Sequence, residues 1–237
     1  MSSIEFTIDG REIKATPGQT ILEAAEAAGI YIPRLCHRKG LTAHGSCRVC
    51  TVLVNGRPQA ACTQPVSPGM VIEHDSNKMK ALRRNIIEML FVEGNHYCMF
   101  CEKSGNCELQ ALAYRLGITA PKYPYMFSQR ELDATHPDVF IDRNRCVLCG
   151  RCVRTSEQVD KKHVFDFVGR GPHKHIAFDS ADGLGATKLQ VLDKAVEACP
   201  VGCIVKKRTG YQVPVGQRLY DHEPIGTEVE GKVASSK

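Results

Sequence analysis

Twelve cysteines in 237 residues fall into three sets, and their spacings are those of thiolates that hold metal. Cys36, Cys47, Cys50 and Cys62 form the first, C-x10-C-x2-C-x11-C, in loops that contain glycine. Four soft thiolates there suit a pair of irons or one zinc ion. The plant-type [2Fe–2S] pattern, C-x4-C-x2-C with a distant fourth cysteine, shares the inner x2 pair but not the outer spacings. A strand–helix–cysteine-loop order ahead of the set favours the iron pair. Gly45 and Ser46 would let backbone N–H groups approach its sulfides.

The second set is Cys98, Cys101 and Cys107, spaced x2 and x5 within GNHYCMFCEKSGNCELQ. Three thiolates are one short of the four that hold an iron–sulfur cube, and His96 is the nearby side chain able to supply the fourth ligand. A histidine ligand removes one negative charge and raises the potential. The bland alternative is a solvated His96, with water or another group completing the site.

The third set lies in RCVLCGRCVRTSE, where Cys146, Cys149 and Cys152 open the bacterial ferredoxin run C-x2-C-x2-C-x3-C-P. Ser156 and Glu157 stand where that run needs its last cysteine and proline. The remaining Cys–Pro pair is Cys199-Pro200. In two-cluster ferredoxins the last cysteine of each run ligates the other cluster. Cys199 then reads as the end of a second run whose own cluster is gone. That run's other positions are Leu189, Leu192 and Ala195, apolar as expected if core packing replaced a cube. The expected cube has Cys146, Cys149, Cys152 and Cys199. Cys203 is the runner-up for the fourth ligand and otherwise a small buried hydrophobe.

The elements that must carry these ligands are short. IEFTIDGREIKA reads as two strands about an Asp9-Gly10 turn, and a second hairpin turns at Asn55-Gly56. Between them Thr20 and Glu23 form a capping box for a helix that Gly29 stops. Residues 77–93 place Met79, Leu82, Ile86, Leu90 and Phe91 on one helical face, with Gly94 after it. NCELQALAYRLG is a further helix, stopped at Gly117, and residues 118–137, with three prolines, read as a linker. HVFDFV and HKHIAF are strands flanking GRGP, and KLQVLDKAVEAC looks helical. The last thirty residues lack a core pattern and read as a disordered tail or an arm lying on a partner. The expected units are therefore 1–76, 77–137, 138–207 and 208–237.

Composition narrows the classes. The chain is 24% charged and has no tryptophan, enough apolar residue for small cores. It shows no signal-peptide pattern and no long uncharged apolar run, so a soluble cytoplasmic protein without membrane insertion is expected. A reducing cytosol favours metal ligation over disulfides. The formal charge of +5 would suggest acidic partners. Three thiolate-bound clusters would add roughly five negative charges and bring the loaded chain near neutrality, so no nucleic-acid partner is expected. GLGATK lacks the full phosphate-loop pattern, no G-x-G-x-x-G follows a strand, and no nucleophile–base pair is evident. His173 and His175 of GPHKH read as a solvated turn.

The order of the three sets resembles the N-terminal region of the large iron–sulfur subunit of respiratory complex I, which also opens some iron-only hydrogenases. CMFCEKSGNCELQALAYRLGI and RCVLCGRCVRTSEQV are similar to the small diaphorase iron–sulfur subunits of NAD-reducing [NiFe]-hydrogenases, and the likeness covers about residues 4–220. It implies an α+β chain: a β-grasp [2Fe–2S] ferredoxin domain, a small helical His-Cys [4Fe–4S] domain and a ferredoxin-like [4Fe–4S] domain. It further implies an electron-transfer chain with no substrate site of its own. Its partners would be [NiFe]-hydrogenase small and large subunits and a flavin subunit holding FMN and NAD. Those relatives place the histidine of the second set at H-x3-C; here that position is Gly94, and His96 stands at H-x-C. The rivals are an iron–sulfur subunit of an NAD-linked formate dehydrogenase or complex I relative, a structural zinc protein, and a cluster-based redox sensor. No DNA-reading helix is evident for the last.

Overall fold

The computed structural model describes residues 3–127 and 129–231; the end of the expected tail, 232–237, lies outside them. Strand β1 (Ile4–Ile8) turns into β2 (Arg11–Ala15) through Asp9 (φ 47°) and Gly10 (φ 80°). β3 (Thr51–Val54) turns into β4 (Arg57–Ala60) through Asn55 (φ 49°) and Gly56 (φ 80°). Two left-handed central residues are what a two-residue hairpin loop requires. With β5 (Val71–Glu73) they make a sheet of order β2-β1-β5-β3-β4, in which β1 and β5 run parallel. Helix α1 (Ile21–Ala27) starts at the expected capping box, a cap whose loss costs about 1 kcal/mol. Its Ile21, Leu22, Ala24 and Ala25 are buried with Phe6, Ile8 and Ile72 of the sheet.

Helix α2 (Asn77–Val92) is capped by the Ser76 hydroxyl, which accepts from the Met79 N–H. Its buried face is Met79, Arg83, Ile87, Glu88 and Val92; of the expected stripe, Leu82, Ile86, Leu90 and Phe91 are only half-buried. The rotation has a polar cause. Arg83, 2% exposed, donates to the carbonyls of Val49, Thr51 and His74 and so ties the helix beneath the first cysteine loop. An apolar stripe cannot reveal a helix oriented by a buried cation. Helix α3 (Glu108–Arg115) ends before Gly117 (φ 67°), as expected.

The supposed linker contains a short strand, β6 (Leu132–Asp133), paired with β7 (Val139–Asp142), whose other edge takes β10 (Ile204–Lys206). Helix α4 (Arg151–Gln158) and the hairpin of β8 (Phe165–Val168) and β9 (His175–Phe178) complete this unit. KLQVLDKAVEAC is not one helix: only α5 (Lys194–Glu197) forms. The Asp193 carboxylate accepts the Gln190 N–H, and Asp160 accepts those of Lys194 and Ala195, so side chains start the helix late. Leu189 and Ala195 are buried as expected, but Leu192 is 77% exposed, so core packing fills two of the three vestigial positions.

Residues 208–231, expected as a disordered tail or an arm on a partner, fold back on their own chain. Ile225, and Val229 of α6 (Thr227–Glu230), are buried with Tyr31 and Leu112. Arg115 donates to the Ile225 carbonyl and pairs with Glu230. Two apolar anchors in that stretch are too sparse to register as a pattern. Among the described residues no helix is long and apolar enough to cross a membrane.

Candidate metal centres

All twelve cysteines are free thiols. In the first set, Cys36 ends a buried stretch with Leu35, while Cys47 and Cys50 flank a turn that Arg48 makes with a left-handed backbone (φ 59°). Cys62 follows β4, in contact with the sheet core. The Cys36 N–H donates to Cys47 Sγ at 3.3 Å. Hydrogen bonds with the Cys47 and Cys62 thiols hold Cys36 far below the ordinary thiol range and push those two far above it. A bond with Cys62 brings Cys50 to about 7. The four thiols thus form one hydrogen-bonded cluster. Ser46 also bonds Cys36, and Gly45 (φ 68°) lies against Thr63.

In the second set Cys98 begins a 3₁₀ turn, Cys107 stands at the start of α3, and Cys101 lies between them. Burial pushes Cys107 up to about 12 and raises Cys98, and the charge of Cys101 raises both further. The His96 ring packs edge-on to Phe91, with centroids 5.5 Å apart. Burial pulls the ring down to about 4, which leaves it neutral, and its Nε2 is buried with no protein partner. Such an orphaned lone pair is what a histidine ligand offers. A Cβ at position 94 would stand 2.5 Å from that Nε2, so the ring fills the space a residue-94 side chain would need. Phe91 and Gly94 pack against the ring, and Arg145, the Leu90 backbone and Asp142 act on its charge.

In the third set Cys146, Cys149, Cys152, Cys199 and Cys203 line one apolar cavity with Ile141, Ile176, Val201 and Ile204. Leu148 adopts a left-handed backbone (φ 50°) that turns its N–H onto Cys146 Sγ at 3.4 Å. Such a conformation costs a bulky residue about 1–3 kcal/mol. The Cys203 thiol donates toward Cys146 and Cys199, lowering both, Cys199 to about 6, while Cys203 itself is pushed far up. Burial raises Cys149 to about 12 and pushes Cys152 well above the ordinary thiol range. Ser156, where a ferredoxin has its fourth cysteine, is 1% exposed and accepts the Val164 N–H through its hydroxyl at 2.9 Å.

Arginines join the loops. Arg154, 8% exposed, donates to the carbonyls of Cys36 (2.6 Å) and Cys149 (3.2 Å), one in the first set and one in the third. Arg151 holds Glu108, next to Cys107, and the His37 carbonyl, next to Cys36. Gly202, in the Cys199–Cys203 loop, packs directly on Cys101 Sγ, and Arg145 Nη1 reaches both that sulfur (3.7 Å) and the Gly202 carbonyl (3.5 Å). The sequence reading missed these arginines. Their alternation with cysteine in RCVLCGRCVR was the available signal. The most voluminous cleft described, about 790 Å³ beside Tyr31, His74, Arg84 and Glu230, is lined by none of the cysteines. We take the thiol-lined cavity as the functional one because its residues carry the chemistry.

The family model for a 2Fe-2S iron-sulfur cluster binding domain matches residues 1–77. That for the NADH-ubiquinone oxidoreductase-G iron-sulfur binding region matches 83–122, and that for the ferredoxin-like domain of NADH-quinone oxidoreductase subunit 3 matches 136–205. The NAD-reducing hydrogenase HoxS subunit gamma of Cupriavidus necator is 39% identical, over 94% of this chain and 95% of that one. The NADP-reducing hydrogenase subunit HndD of Solidesulfovibrio fructosivorans is 33% identical, over 90% of this chain but 38% of its own length. A chain from the crystal structure of NAD+-reducing [NiFe]-hydrogenase in the H2-reduced state is 48% identical, with a TM-score of 0.91 over 94% of this chain and 95% of that one.

Proposed function

The chain belongs to the family of the gamma subunit of NAD-reducing hydrogenase, and from that premise we propose that it relays electrons between a hydrogenase module and a flavin subunit that reduces NAD+. The overall reaction is H2 + NAD+ → NADH + H+, with two electrons crossing this chain singly. The partners are the [NiFe]-hydrogenase small and large subunits and a diaphorase subunit that holds FMN and NAD. One [2Fe–2S] cluster on Cys36, Cys47, Cys50 and Cys62 and two [4Fe–4S] clusters supply the one-electron chemistry when bound. His96 with Cys98, Cys101 and Cys107 would hold one cube, and Cys146, Cys149, Cys152 and Cys199 the other. The units are 1–76, 77–137, 138–207 and 208–237, and the described part of the last, 208–231, straps the second.

The observation that carries the relay reading is the contact between the loops. The first set reaches the third through Arg154, and the third reaches the second through Gly202 and Arg145. Clusters held by these loops would stand in the order first set, third set, second set, and would supply one-electron transfer between neighbours in either direction. Independent storage or structural zinc sites need no such contiguity. What this chain's residues do is hold the thiols fixed, exclude water with Ile141, Ile176 and Ile204, and set potentials by hydrogen bonds. Cys199 is taken as the fourth ligand because it carries the Cys–Pro step that ends a ferredoxin run and lines the same cavity as Cys146, Cys149 and Cys152. The orphaned Nε2 supports His96. Tyr97, Met99 and Phe100, 67, 85 and 70% exposed on the second set's loop, offer an apolar face for a partner that exchanges electrons there.

The test is iron and sulfide analysis with EPR on the anaerobically purified full chain, together with NAD+ binding. About ten irons and three distinct signals are expected, without tight NAD+ binding. Zinc in place of iron, or tight NAD+ binding by this chain alone, would overturn the proposal.

A further inference from the structure

We propose that Arg145 sets the reduction potential of the second set's centre by holding a guanidinium N–H and its positive charge against Cys101 Sγ. This rests on the reading that Cys98, Cys101 and Cys107 bind a [4Fe–4S] cluster. The guanidinium is fixed by three segments of the chain. Nη1 lies 3.7 Å from Cys101 Sγ, 2.8 Å from Glu102 Oε2 and 3.5 Å from the Gly202 carbonyl oxygen. Nε lies 2.9 Å from Asp142 Oδ2. The side chain is 19% exposed, so solvent screens it only in part. An arginine left in water would lose little by moving away. Here four partners hold it in one place, and that place is on a ligand sulfur.

The electrostatics have a definite sign. When the centre takes up one electron, no bond forms and no proton moves, and the sulfurs gain negative charge. A fixed cation and an N–H···S bond stabilise that added charge, so Arg145 raises the potential. Glu102 works against it twice. Its carboxylate takes the same Nη1, and its own charge stands beside the sulfur. Asp142 pairs with Nε and anchors the guanidinium from its other side. Arg145 is also the residue before Cys146, so the cation that favours reduction of the second set is carried on the third set's own loop. The arrangement tilts the step between the two sets toward the second.

The experiment is an EPR-monitored redox titration of the full chain with its clusters, as wild type, Arg145→Gln, Arg145→Lys and Glu102→Gln. Arg145→Gln is expected to lower the reduction constant of the second centre about tenfold, which is about 59 mV for a one-electron couple. Arg145→Lys falls between, because a point charge replaces the fixed fork. Glu102→Gln shifts the same centre upward, and the [2Fe–2S] midpoint stays put in all three. A second-centre midpoint unmoved in Arg145→Gln and Glu102→Gln, or three centres moving together, overturns the inference. If Arg145→Gln assembles poorly, Glu102→Gln decides alone: a rise supports the inference and no shift refutes it. A wild-type chain without a second [4Fe–4S] signal refutes the ligand reading beneath it, which is a separate outcome.

Discussion

Replacing Gly94 with alanine tests the proposal that His96 is the fourth ligand of the second set, without altering the histidine itself. The added Cβ would stand 2.5 Å from His96 Nε2, 2.9 Å from Cδ2 and 3.0 Å from the Asn144 carbonyl oxygen. Non-bonded carbon contacts settle near ~3.5 Å, so the ring must withdraw by about 1 Å. The Asn144 carbonyl cannot give way easily, since it already accepts the Asn95 N–H at 2.7 Å. Metal–ligand distances tolerate only about ±0.2 Å, so a displacement of that size removes the imidazole as a ligand. Gly94→Ala should therefore behave as His96→Ala does. Iron per chain should fall from about ten toward about six, and the second [4Fe–4S] signal should be lost or altered. The assay is iron analysis and EPR on Gly94→Ala, His96→Ala and the double variant. If the clash acts only through the ring, the double variant is no worse than His96→Ala alone. A Gly94→Ala chain with full iron and an unchanged second signal would refute the reasoning.

Three further outcomes follow from the geometry. Cys199→Ala should abolish the third set's EPR signal while Cys203→Ala retains it with a displaced midpoint; the reverse result would exchange their roles. Arg83→Leu leaves the carbonyls of Val49, Thr51 and His74 without their donor, at about 1–3 kcal/mol for each buried group. Chemical denaturation should show a loss of at least about 3 kcal/mol, and a change below about 1 kcal/mol would mean that these bonds do not anchor the first cysteine loop. Arg154→Met removes the link between the Cys36 and Cys149 carbonyls. Freeze-quench EPR should show slower electron exchange between the [2Fe–2S] centre and the third set, and an unchanged rate would place the path elsewhere.

Local chemistry was legible where neighbours in sequence are also neighbours in space. Asp9-Gly10 and Asn55-Gly56 specify their turns because only such residues accept two left-handed conformations in succession. The Thr20–Glu23 box specifies the start of α1 for an equally local reason. Cysteine spacing likewise marked out thiols that the fold gathers, as Cys146, Cys149, Cys152 and Cys199 show around one cavity. Long-range polar contacts left no such trace. The face of α2 is turned by Arg83, whose acceptors lie at Val49, Thr51 and His74. Asp160 starts α5 from 34 residues away. The strap at 208–231 is held by Ile225 and Val229 packing near Tyr31, two contacts without a period. Sequence by itself determined which thiols could bind and how the small turns run, since spacing and backbone preference are local properties. Only the tertiary structure decided that the third set stands between the other two and that arginines bridge them, because hydrogen bonds across 44 to 118 residues depend on where the chain has already folded.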